Sequence, residues 1–303
     1  MRDILLLLIC LVSQDAVSQE TGKGKAKKIK INFSGFVRYD VMHDSRQTVS
    51  AREGIYLLYP ERPAWDNDDN DVNATSNFNF STVNSNLKLD LCGLDLFKAE
   101  TNAFFETDFW GSEKNLNHIR VRHAYFRFKW KTTELLIGQY WNPMSIPGFF
   151  PRVASSNNGV PFHPISRNPQ IKLQRQIGML KLSGYLMTQR DFTSTGPDGP
   201  DSKYLRNSGI PNIHFQVRYG TRPSAVVGGM GVDYKKIIPE LYISREDGKI
   251  KTGKKNSISS CSFTGFLSID TPVASLRLQG VYGQNSHDIQ MLGGYAEKEI
   301  TDP

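Results

Sequence analysis

Between Asn77 and Pro143 apolar and polar side chains alternate through successive segments of strand length, and the segments are joined by connections that are in turn long and very short. Period-two alternation gives each face of a sheet its own chemistry, so each face must find its own environment. In Leu94–Trp110, Phe97, Ala99, Thr101, Ala103, Phe105, Thr107 and Phe109 share one parity, while Lys98, Glu100, Asn102, Glu106 and Asp108 take the other. A barrel wall in a membrane requires this pattern, because apolar groups meet lipid, polar groups meet a wet lumen and the chain crosses repeatedly. A soluble sheet with one covered face reads the same way, so the rest of the chain must decide.

The alternation predicts strands over 31–45, 77–92, 94–110, 118–130, 134–141, 170–176, 179–191, 211–219, 225–235, 257–270 and 274–284. Asn212–Tyr219 is the cleanest, with Ile213, Phe215, Val217 and Tyr219 opposed to Asn212, His214, Gln216 and Arg218. Two segments change phase, which predicts bulges near Val83–Asn86 and near His123. Long connections fall at 46–76, 142–169, 192–210 and 236–256, with a shorter one at 111–117. Between them come tight links near Gly93, Lys131–Thr133, Ile177–Gly178, Gly220–Ser224 and Thr271–Val273. Short turns at one end and long loops at the other mark an outer-membrane barrel, whereas a sandwich scatters its loop lengths between both ends. No helix signal or repeat is visible.

At 39% hydrophobic content, no stretch of the 303 residues reaches the roughly 18–20 apolar residues of a spanning helix. The one apolar run, Ile4–Val12, follows Arg2 and precedes Ala16-Val17-Ser18, the pattern of a secretory signal peptide cleaved after Ser18. Ile9 before Cys10 is too bulky for a lipid-anchor site. Loss of residues 1–18 removes one of 37 basic and two of 30 acidic residues, so 36 face 28 and the formal charge moves from +7 to +8. On an exported chain this balance argues against nucleic acid as a partner, and the basic run Lys23–Lys30 reads as a flexible mature N-terminus spanning 19–30. Cys92 and Cys261 lack metal spacing, and no cofactor motif is present. Residues 31–303 then form one all-β, antiparallel up-and-down barrel domain. Eleven strands are odd in number, and Met291–Glu297 begins a twelfth at most, so the expectation is an open part of a larger barrel of about 16 strands, truncated on its C-terminal side.

Several motifs carry a family likeness over residues 31 to 297. Asn84-Ser85-Asn86-Leu87-Lys88-Leu89 resembles an early strand of general porins, with Asn86 where arginine is common. Phe97–Asp108, Arg122-His123-Ala124-Tyr125 and Ile137-Gly138-Gln139-Tyr140-Trp141-Asn142-Pro143 resemble the strands leading to the porin loop that folds inward. Pro161-Phe162-His163-Pro164, Arg167-Asn168-Pro169-Gln170 and Gln189-Arg190-Asp191-Phe192 resemble porin-like outer-membrane proteins of the Bacteroidetes type, similar to DcaP-like porins. The resemblance implies residence in the bacterial outer membrane among lipid and lipopolysaccharide. It also implies passive passage of small hydrophilic solutes and a homotrimer when full length.

Selectivity in such a channel comes from the lumen wall and any loop folded into it. The loop at 142–169 is stiffened by Pro143, Pro147, Pro151, Pro161, Pro164 and Pro169, turns at Gly148 and Gly159, and carries Arg152, His163 and Arg167 with no carboxylate. Folded inward, it presents a positive constriction that favours anionic solutes; left outside, it is a surface loop with solvated arginines. On the wall, Arg120, Arg122, Arg127 and Lys129 face Lys98, Glu100, Glu106 and Asp108 of the neighbouring strand. Either these rows set up a transverse field, or they are cross-strand pairs worth about 0–1 kcal/mol each. The run Asp66-Asn67-Asp68-Asp69-Asn70-Asp71 imitates a calcium loop, but Asp71 stands where glycine is needed and Asn77 where glutamate is needed. Weak divalent bridging to lipopolysaccharide phosphates suits it better. Asn73-Ala74-Thr75 and Asn79-Phe80-Ser81 match glycosylation sequons that arise by chance. No Gly-x-Ser-x-Gly elbow, paired metal histidines or phosphate loop occurs, and the six histidines are scattered singly, so an enzyme is not expected. The competing reading is a secreted or periplasmic β-sheet binding protein, for glycans for instance. It requires a second layer over Phe97, Phe105, Phe126, Phe128, Phe215 and Val217; a channel requires those residues to point outward uncovered.

Overall fold

The alternating segments assemble into one antiparallel meander of eleven strands, each bonded to its neighbours in sequence order. The computed structural model describes residues 29–111, 118–151, 158–220, 226–244, 250–252 and 256–294. The strands are β1 (Lys30–Phe36), β2 (Asn86–Leu96), β3 (Ala99–Asp108), β4 (Arg120–Lys129), β5 (Thr133–Trp141), β6 (Arg167–Ile177), β7 (Leu180–Met187), β8 (Asn212–Tyr219), β9 (Val226–Ile237), β10 (Ile258–Asp270) and β11 (Ser275–Tyr282). Every tight connection lies at one end of the sheet and every long one at the other. Among the described residues the sheet is open, with β1 and β11 as its edges.

The two faces divide as the parity requires. On β10, Ser260, Ser262, Thr264, Phe266 and Ser268 are buried while Cys261 and Phe263 are exposed; on β8, Asn212 and His214 are buried while Phe215 is 61% exposed. The buried face is largely polar and the bare face apolar, the inverse of a soluble sheet. Phe97, Phe105, Phe126, Phe215 and Val217 all stay exposed, and among the described residues no second sheet covers them. Phe128 is tucked between the rings of Phe97 and Trp130 near the tight turns. Among the described residues, the covering layer that a soluble binding sheet needs is not present over this face.

Several boundaries differ from the sequence expectation, each for a local reason. The expected strands 31–45 and 77–92 both break at one level. There the Arg38 N–H donates to Ser85 Oγ at 3.0 Å and Asn84 Nδ2 donates to Asp40 Oδ2 at 2.6 Å. Beyond that break Asp40–Asp44 pairs with Asn77–Ser81 as a separate ribbon, so the phase change near Val83–Asn86 is a turn between two strands and not a bulge. Gly93 is not a tight link. It is a bulge inside β2 at φ +104°, where the register slips between Cys92 and Leu94. The slip keeps Leu94 and Leu96 on the face that Leu87 occupies. The tight turn is Phe97-Lys98, both at positive φ as a two-residue hairpin demands. The phase change near His123 does occur, as a register shift between Glu106 and Thr107 of β3.

β6 begins at Arg167, three residues before the expected strand, so Arg167, Asn168 and Pro169 belong to the wall. The long connections carry their own pieces: a hairpin of Thr48–Ala51 with Tyr56–Pro60, another of Tyr242–Ser244 with Ile250–Thr252, and a one-turn helix at Lys203–Asn207 that no sequence signal announced. After β11 the chain forms a 3-10 turn at His287–Ile289, and Met291–Gly294 adds no strand. The expected signal segment 1–18, nearly all of the basic segment 19–30, and residues 295–297 of the suggested twelfth strand lie outside the described residues.

Candidate functional site

Charge concentrates on the buried face where β3 and β4 reach the long loops. Asp108 closes β3 opposite Arg120, which opens β4. Arg120 grips it with both arms of its fork, Nε to Oδ1 at 3.0 Å and Nη2 to Oδ2 at 2.7 Å. Arg122 donates from Nε to Glu106 Oε1 at 2.9 Å and from Nη1 to Asp108 Oδ2 at 2.8 Å. It reaches both carboxylates because it is the extra residue of the shift: Thr107 faces Val121 and Glu106 faces His123, leaving Arg122 with no residue opposite. Glu106 also accepts from Asn86 Nδ2 at 2.6 Å. Arg167 opens β6 opposite Trp141 of β5, with its guanidinium 4.1 Å from the indole centroid. Its Nη1 donates to Asp191 Oδ2 at 2.9 Å, and Asp191 Oδ1 lies 3.5 Å from Arg120 Nη1.

The remaining wall residues of the sequence reading lie nearer the tight turns. Glu100 stands opposite Lys129, and Arg127 stands opposite Asn102 rather than a carboxylate. Lys98 is exposed in the hairpin turn, off the strand altogether, because Phe97 and Lys98 supply the two positive-φ positions. Arg152 lies outside the described residues. His163 does belong to the inward loop, whereas Arg167 acts from the wall.

Over its described residues, 142–151 and 158–166, that loop folds across the buried face to strands far from its own. Gln216 of β8 donates to the Pro143 carbonyl at 3.3 Å, and Gln279 of β11 donates to the Met144 carbonyl at 2.8 Å. His163 Nε2 meets Gln279 Oε1 at 3.0 Å, and Ile146 and Phe149 cluster with Phe266 of β10, the two phenyl centroids 5.1 Å apart. The Ile165 N–H donates to the Ile289 carbonyl at 2.9 Å. Burial holds the His163 imidazole below its usual protonation range, partly opposed by Gln279.

A second set of contacts gathers at the long-loop end. The side chain of Lys235 reaches both the Asn285 carbonyl and Asp288, while Gln189 Nε2 donates to Asp288 Oδ2 at 3.0 Å. Tyr56 OH donates to Gln290 Oε1 at 2.8 Å, and burial raises its pKa well above the usual phenol value. The acidic run is folded on itself. Asp66 Oδ1 accepts the N–H groups of Asp68 and Asn70, and Asp71 Oδ1 accepts those of Ala64 and Asn73, which lowers both carboxyl pKa values.

Between wall and loop lies a cleft of about 320 Å³. The wall side supplies Phe36, Arg38, Asn84, Asn86, Lys88, Glu106, Arg120 and Arg122, the loop supplies Asn158 and Ile165, and β6 supplies Arg167; Tyr56, Trp110, Phe192 and Gln290 complete it from the long-loop end. Five cations and one carboxylate thus line the cleft, with Asp108 and Asp191 buried behind the guanidiniums. Arg38, Lys88 and Asp191 were not among the sequence candidates. The flanking aromatic is also basic in its setting, since Trp110 has Arg52 and Arg120 guanidiniums 5.2 and 5.1 Å from its ring centroid.

No family model matches this chain, and no protein of curated function matches it. Among solved structures, the outer membrane channel DcaP of Acinetobacter baumannii is similar, with a TM-score of 0.62 at 16% identity over 89% of this chain and 68% of that one. The fold is the outer-membrane β-barrel fold. OmpT of Vibrio cholerae is also similar, with a TM-score of 0.49 at 8% identity over 88% of this chain and 66% of that one.

Proposed function

We propose that this chain builds the wall of an outer-membrane channel through which small anionic solutes diffuse passively. The observation that carries the reading is the cleft between the inward loop and the β2–β4 wall, which presents five cationic side chains and a single carboxylate. A water-filled passage edged by guanidinium and ammonium groups raises the local concentration of anions and repels cations. The bare apolar face supports a lipid environment, and the DcaP likeness, a likeness of fold, is consistent with a channel. Export by a signal peptide cleaved after Ser18, contact with lipopolysaccharide and assembly as a trimer belong to the same proposal.

The test is planar-bilayer recording of the full-length protein extracted from outer membranes, under a gradient of potassium chloride. Stepwise conductance with a reversal potential on the anion-selective side supports the reading. Absence of conductance overturns the channel, and a cation-selective reversal potential overturns the anionic preference.

A further inference from the structure

After β11 the chain turns back over the buried face at the long-loop end, and residues 283–291 reach across to elements far from β11. Lys235 of β9 bonds both the Asn285 carbonyl and the Asp288 carboxylate, and Gln189, just after β7, donates to Asp288 Oδ2 at 3.0 Å. His287 Nδ1 meets the Thr193 carbonyl at 3.0 Å, and the Ile289 carbonyl accepts from the Ile165 N–H at 2.9 Å. Gln290 accepts from Tyr56 OH at 2.8 Å and borders the cleft. The segment thus ties β9 to the first long loop, to the end of the inward loop and to the loop after β7. The buried Lys235–Asp288 pair holds it down, and two features oppose that hold. Asn285 is 3% exposed, yet neither amide atom of its side chain is hydrogen-bonded to another protein group. Asn285 and Gln290 also take the left-handed backbone, at φ +49° and +57°, which costs any residue with a side chain. Gly283 on one side and Gly293-Gly294 on the other give the segment freedom to swing.

We propose that residues 283–291 form a strap that narrows the long-loop end of the passage and lifts to widen it, with the Lys235–Asp288 pair as its catch. Lifting hydrates the Asn285 amide and relaxes both left-handed residues, which offsets part of the loss of the pair. It parts Gln290 from Tyr56 and releases Ile165 at the end of the inward loop, so the cleft opens toward the long-loop side. Removing one member of a buried pair strands the charge of the other, so the catch responds steeply to either residue. This inference rests on the channel reading above.

Single-channel recording of the full-length protein in planar bilayers provides the test, read as the ratio of time spent at a higher and a lower conductance level. Asp288→Asn is expected to raise that ratio at least about tenfold, a change equivalent to about 1.4 kcal/mol. Lys235→Met should act the same way from the other side of the catch, so that poor folding of one variant does not shield the idea. Asn285→Gly removes the unpaired amide and suits the left-handed backbone, so it should lower the ratio. A general loosening of the wall would move all three variants in one direction. The second readout needs no current. Ile289→Cys, with Cys10, Cys92 and Cys261 replaced by serine, is labelled by a charged maleimide in protein folded into phospholipid vesicles. Adding Asp288→Asn should speed labelling at least about tenfold, and adding Asn285→Gly should slow it. Equal labelling rates in all three backgrounds, or conductance ratios that do not differ among the variants, overturn the strap while the channel stands. A wild-type protein without conductance overturns the channel reading, and this inference with it.

Discussion

The buried carboxylate Asp108 shows how single residues hold the wall. Its side chain is 2% exposed and accepts from both Arg120 and Arg122. Removing its charge leaves two guanidiniums short of a partner in a poorly hydrated place, and such broken pairs cost more than intact pairs contribute. Asp108→Asn should therefore destabilise the folded protein by about 2–3 kcal/mol, read as a lower urea midpoint for loss of the compact, fast-migrating gel band. His163 provides a pH test. Burial lowers its protonation range in the docked loop, so docking is favoured while the released imidazole would also be neutral, above about pH 6.5. As the pH falls below that value the released loop binds protons first, and docking stability is lost down through the lower value of the docked imidazole. Current noise should rise between pH 7.5 and pH 5 in the wild type and stay flat in His163→Asn. Glu106, Asp108, Arg120 and Arg122 were legible in sequence, because strand alternation on adjacent strands is enough to place them together. Arg38, Lys88 and Asp191 were not, since their approach depends on a turn at Ser85, on pairing across β1 and β2, and on a loop that returns from β7.

At the scale of elements, the inward loop is the part that makes a cleft out of a curved wall. Its proline and glycine content indicated a stiff loop, but nothing in the sequence specified where it docks. That is set by Gln216, Phe266 and Gln279, which arise some 70 to 135 residues downstream of the loop partners they meet. Phe149→Ala removes a buried ring from the Phe266 contact and should loosen docking by about 3 kcal/mol. The expected outcome is a larger single-channel conductance with weaker anion selectivity, measured in planar bilayers; a variant indistinguishable from wild type would mean the loop does not narrow the path. The same limit explains the misplaced turn. Gly93 reads as a turn residue in isolation, yet a bulge there keeps Leu94 and Leu96 facing outward, and the hairpin instead closes on Phe97 and Lys98. Alternation locates strands well; where one strand ends depends on which choice keeps leucines on the apolar face.

For the whole molecule, strand direction imposes a rule on closure. β1 runs from the tight-turn end to the long-loop end, and so does β11, since each tight turn joins a descending strand to an ascending one. Antiparallel closure of the described sheet therefore takes an odd number of further strands, whatever supplies them, and an even total follows. In lipid the unpaired N–H and C=O groups of either edge would cost several kcal/mol each, so closure and membrane residence are linked. The remaining question is which face the lipid covers, and β8 offers a paired test. Phe215 points outward, 61% exposed, opposite Gly184 of β7 and Val232 of β9, while its neighbour Gln216 points inward and bonds the loop. An arginine at 215 would sit in hydrocarbon and cost about 2–4 kcal/mol near the bilayer midplane. An arginine at 216 would keep its charge in the wet lumen and lose little beyond one hydrogen bond, about 1 kcal/mol. Urea titration of the protein folded into phospholipid vesicles should thus rank Phe215→Arg well below Gln216→Arg, although the two positions are adjacent in sequence. Equal losses would mean that the two faces share one environment, and the opposite order would place the lipid on the arginine-bearing side.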